Sequence, residues 1–82
     1  MLDNITRKKL LNELCLDVGQ QFHNARVKSN KNILCVSEDL NRTLNTIDNI
    51  ESGKIKNVEL NFLVFLAGYY NKKIKIELLD TK

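Results

Sequence analysis

The chain has no proline and no tryptophan, and only three glycines, one histidine and two cysteines among its 82 residues. Without proline, no helix is broken by a missing N–H. A single histidine, His23, leaves no partner for a histidine-based nucleophile pair, and it reads as a surface or partly packed side chain. Cys15 and Cys35 lack metal-type spacing and are expected to stay reduced as small hydrophobes. Asp39, Asp48 and Glu51 are too dispersed to read as a metal site, and no glycine-rich phosphate loop is present. These absences point away from an enzyme and from a cofactor. No apolar run approaches the ~20 residues of a membrane span. The opening Met1-Leu2-Asp3-Asn4 lacks the basic-then-apolar order of a secretory leader, so a cytoplasmic location without membrane contact is expected.

What is present fits one domain over residues 1–82. A chain of this length buries only about 60–65% of its unfolded surface, so a second copy of itself is a natural way to complete the core. Thirteen Lys and Arg against ten Asp and Glu give a net charge of +3, which permits nucleic acid as a partner without arguing for it.

The apolar pattern reads as helices. Asp3 or Asn4 caps a first helix whose apolar residues Leu10, Leu11, Leu14, Cys15, Val18, Phe22 and Ala25 recur in steps of three and four. Gly19 interrupts that run at a cost of roughly 1 kcal/mol, leaving either one helix to Lys28 or two meeting near Leu16-Asp17. A polar Ser29-Asn30-Lys31-Asn32 stretch leads to a second helix over Ile33–Leu40. The Asn41-Arg42-Thr43 break precedes a third helix with Leu44, Ile47 and Ile50 spaced by three, and Gly53 suits the position just past its end. A basic connection, Lys54 to Val58, leads to a fourth helix over Glu59–Tyr70. That helix carries two stripes: Leu60, Leu63, Ala67 and Tyr70, and then Phe62, Phe65, Leu66 and Tyr69. Residues 73–78 alternate polar and apolar, the pattern of a half-buried strand with no partner strand elsewhere in the chain, so the tail is either exposed coil or pairs with the same strand of a second copy.

The stretch from Ile33 to Ile50 resembles the helix-turn-helix of the Cro/repressor-type (XRE) family. Val36, Ser37, Leu40, Ile47 and Ile50 match its inner positions, and Asn41 its turn position. Ile50-Glu51-Ser52-Gly53-Lys54 is similar to its "I-E-x-G-K" ending. Val18-Gly19-Gln20-Gln21-Phe22 with Arg26 is similar to its opening, and Leu63, Leu66, Ala67 and Tyr70 to its last core helix. The resemblance covers residues 17–71. It implies a mainly α, lambda-repressor-like domain of four to five helices; residues 1–16 then read as a helical extension, and the alternation of the tail makes 72–79 a C-terminal strand expected to pair between subunits. HipB-like antitoxins form a similar branch. The chain departs from the family pattern at Lys31, Ile33, Arg42 and Asp48.

The same resemblance implies a homodimeric, sequence-specific regulator of a palindromic DNA site. Leu44, Asn45, Thr46 and Asn49 would face the major groove, where Asn pairs with adenine and a Thr methyl packs on thymine. Asn32 and Thr43 would cap their helices and meet phosphates, and Arg42, Lys54 and Lys56 would neutralise others. Arg26 and Glu51 would form a structural ion pair. From the residues themselves, the spare stripe Phe62, Phe65 and Tyr69 of the fourth helix and Ile74, Ile76 and Leu78 of the tail are expected to form the dimer interface. Two further readings share the motif: an antitoxin that also binds a toxin, and a helix-turn-helix kept only for protein contact.

Overall fold

A computed structural model describes residues 3–80, which contain four helices: α1 (Asn4–Lys28), α2 (Ile33–Leu40), α3 (Leu44–Glu51) and α4 (Leu60–Tyr69). Each boundary has a local cause. The Asp3 carboxylate accepts from the Thr6 N–H at 2.7 Å, the Asn32 side chain from the Cys35 N–H at 2.7 Å, and Thr43 Oγ1 from the Thr46 N–H at 3.2 Å. These bonds satisfy donors that a helix start leaves free. Asn30, Asn41 and Asn71 close α1, α2 and α4 with φ of 57°, 54° and 61°, and Gly53 follows α3 at φ 86°. Asn enters this left-handed region more readily than other side-chain-bearing residues, because its short polar group bonds locally.

The core gathers around α3. Val36, Ile47 and Ile50 are 0% exposed, and Cys15, Phe22, Ile55, Leu66, Ala67 and Tyr70 close around them. Ser37 is buried with its hydroxyl donating to the Leu34 carbonyl at 2.8 Å, which satisfies the polar group inside its own helix.

α1 is one continuous helix through Gly19, which settles the choice between one helix and two. A Cβ at Gly19 would stand 2.6 Å from the Ile50 carbonyl oxygen and 2.8 Å from that of Glu51. The glycine costs helix propensity and in exchange lets the end of α3 press against the α1 backbone. Residues 4–14 of α1 are all exposed, so half the helix runs beyond the core. The 43 × 22 × 20 Å extents reflect that projection.

Two expectations are corrected. No strand forms among the described residues: 72–80 carry no ladder, because a lone extended segment has no neighbour within its own chain to bond. Ile74 packs on the core, whereas Ile76 and Leu78 are 68% and 97% exposed. The two stripes of α4 are also redrawn. Leu66 belongs with Ala67 and Tyr70 in the core, and Leu60 faces out. α4 is short and apolar on most sides, so its spacing alone does not say which face turns inward.

Candidate nucleic-acid interface

α3 turns Ile47 and Ile50 fully inward and presents the other side of the helix outward. Leu44 and Asn45 are exposed, Thr46 and Asn49 half-buried, and Asp48 lies exposed beside them. Thr46 Oγ1 sits 3.0 Å from Thr43 Oγ1, which fixes both hydroxyls at the helix start. Asn32 stands exposed at the start of α2. Lys54 and Lys56 are exposed in the connection after α3.

Thr46, Asn49, Lys54 and Lys56 meet at an open cleft of about 600 Å³, completed by Gly53, Asn57, Val58 and Asn12. The lining has two cations and no carboxylate, so the cleft favours an anion by charge alone. Asn12 of α1 was not singled out from the sequence. The available signal is its spacing: it lies seven residues before Gly19, two helical turns along the same face.

Behind the outward face, one carboxylate collects three donors. Arg26 Nε and Nη2 reach Glu51 Oε2 and Oε1 at 2.7 and 3.1 Å, and His23 Nδ1 lies 2.9 Å from Oε1. A carboxylate only accepts, so His23 carries its proton on Nδ1 there. Arg26 Nη1 also donates to the Lys31 carbonyl at 2.9 Å. The Arg26 and Glu51 side chains are 13% and 7% exposed. The Glu51 hydrogen bond raises the guanidinium pKa above its ordinary value. His23 joins this group from one helical turn before Arg26, a spacing visible in the sequence.

Arg42 points across to α4, its guanidinium carbon 5.0 Å from the centre of the Phe62 ring. A cation over a ring face is attracted by the ring quadrupole, so Arg42 fastens the α2–α3 turn to α4. Tyr69 donates its hydroxyl to Asp39 of α2, and Lys31 lies 5.5 Å over its ring. Of the three aromatics placed at a subunit interface, Phe62 and Tyr69 thus have partners in their own chain, and Phe65 is 56% exposed. Tyr70 is buried, its hydroxyl unpartnered among the described residues, and burial pushes the phenol up to about 12.

Among the described residues, no three His, Cys, Asp or Glu side chains converge as a metal site, and no helix is long and apolar enough to cross a membrane. Comparison with protein-family models, with curated proteins and with solved structures returned no match.

Proposed function

We propose that the chain is a DNA-binding regulator of the helix-turn-helix type that inserts α3 into a major groove. One observation carries this reading: α3 buries Ile47 and Ile50 completely, leaves Leu44 and Asn45 exposed, and sets Thr46 and Asn49 in the lining of a cleft holding Lys54 and Lys56 without an acid. Asn45 and Asn49 supply the donor–acceptor pairs that read adenine, and the lysines supply phosphate contacts that add affinity without sequence. Asp48, exposed on the same face, sets a negative charge against the duplex and counts for the protein-contact reading.

The binding unit is a homodimer on a palindromic site, with recognition helices about 34 Å apart. Leu60, Val64 and Phe65 of α4, with Ile76 and Leu78 of the tail, are exposed apolar residues that a second copy would cover. Two tails pairing antiparallel would supply the ladder that one chain lacks. The exposed apolar surface equally favours a second reading, in which this face holds a toxin or another protein partner.

The test is binding to the promoter of the protein's own gene across a salt series. Affinity should fall by about 0.9 log units per log unit of salt for each phosphate neutralised. Asn45→Ala should weaken the specific site more than random DNA, and Lys54→Ala should weaken both. Binding to no duplex at low salt would remove this reading and leave the protein-contact one.

A further inference from the structure

The face of α1 that docks on α3 does not end where α3 ends. Arg26, His23 and Gly19 lie on Glu51 and Ile50, and Leu16 backs Gly53, where a Cβ would stand 2.9 Å from its Cδ2. One turn earlier, Asn12 lines the basic cleft. These positions follow each other at three- and four-residue steps, so they form one stripe along the helix. Continued outward by the same steps, the stripe reaches Lys9 and Lys8, then Ile5. Both lysines are exposed. Of the acids of this part of the helix, Glu13 stands one turn beyond Lys9 on the same side and forms no ion pair with it among the described residues, and Asp17 lies farther round and accepts from Gln21.

We propose that the projecting half of α1 is a second arm of the interface, with Lys8, Lys9 and Asn12 gripping the duplex backbone beside the groove that α3 enters. This deepens the DNA reading and rests on it. The partner is the phosphate backbone of duplex DNA, argued from charge: the cleft presents Lys54 and Lys56 with no carboxylate, and the arm extends that field. Eleven exposed residues, 4–14, rise roughly 16 Å, longer than the width of a major groove at about 12 Å. The arm is rigid because the helix passes unbroken through Gly19 into the core. Side chains on it therefore meet the backbone at a fixed offset from α3. These contacts position the protein and carry no sequence information.

The experiment is fluorescence anisotropy of a mixed-sequence duplex against salt for four full-length proteins. These are the wild type, Lys8→Ala with Lys9→Ala, Asn12→Asp, and Lys72→Ala with Lys73→Ala. The last pair removes the same charge from the exposed tail. The Lys8/Lys9 variant should lose about 1.8 units of log–log salt slope per bound protomer, at about 0.9 for each of two phosphates. The Lys72/Lys73 variant should keep the wild-type slope, and Asn12→Asp should weaken binding at every salt concentration. All altered positions are exposed on α1 or the tail, and thermal melts check that each variant folds. Wild-type binding with an unchanged slope in the Lys8/Lys9 variant overturns the arm and leaves the α3 reading standing. Equal losses in both lysine pairs mean that net charge alone acts, which also overturns it. Absence of wild-type binding to any duplex removes both proposals together.

Discussion

At Gly19, the missing side chain decides how closely two helices approach. Gly19→Ala gains about 1 kcal/mol of helix propensity, but its Cβ falls within 3 Å of backbone oxygens that cannot rotate away. Overpacking of that kind costs about 1–3 kcal/mol, so the variant should melt several degrees lower by circular dichroism. An unchanged or raised melting temperature would mean that α3 is free to shift. Tyr70 presents the opposite case, a buried hydroxyl with no partner among the described residues. Its folded pKa of about 12 lies above the ordinary 10, so the folded state holds the proton more tightly than the unfolded one. Stability from this group is whole below pH 10 and falls as pH rises from 10 towards 12. Tyr70→Phe should be neutral or stabilising at pH 7 and should flatten that alkaline loss in urea melts taken across the range.

Among the elements, α3 relies most on others. It is eight residues long, too short to persist alone, and it is held by its inward isoleucines and by the bonds at Glu51. Arg26→Ala leaves a nearly buried carboxylate with His23 as its remaining side-chain donor, and should cost about 3–5 kcal/mol. Arg26→Lys should recover little of that, because an ammonium cannot span both carboxylate oxygens and the Lys31 carbonyl. Chemical denaturation of both variants reads the difference, and near-wild-type stability in Arg26→Ala would show the pair to be idle. The helices themselves were legible because their causes are local: Asn32 and Thr43 as caps, Asn30 and Asn41 as stops, and inward residues at steps of three. The packing was less so. The spacing of α4 does not choose between Leu60 and Leu66, because the helix is apolar on most sides; only the resemblance, which matches Leu66 to a core position, points to the side that is buried. For Asn12 the spacing from Gly19 gave the face, but its place in the cleft comes from the packing of α1 beside the loop after α3.

For the whole molecule, the exposed apolar residues set the open question of assembly. Ile5, Leu14, Leu60, Val64, Phe65, Ile76 and Leu78 all face out, more than a chain of this size gains by leaving in water. If two tails pair and cover α4, truncation after Asn71 should turn a sedimenting dimer into a monomer. Palindromic-site binding should then weaken more than thermal stability does. The alternation of residues 73–78 marked the tail as strand-like, yet in one chain it stays unpaired, because pairing is a property of two segments and sequence periodicity describes only one. A truncated chain that sediments as the same dimer would move the contact to α1 or α4.

Arg26 reaches two places at once, the Glu51 carboxylate and the Lys31 carbonyl. A side chain shared in this way couples their local opening. The end of α3 cannot lift away while the connection between α1 and α2 keeps its bond, and neither can loosen without stranding the guanidinium. Native-state hydrogen exchange should therefore find the amides of Ile50, Glu51 and Gly53 opening with the same free energy as those of Asn30 and Lys31, as one cooperative unit. In Arg26→Ala that unit should divide, with the connection exchanging faster than the helix it once held.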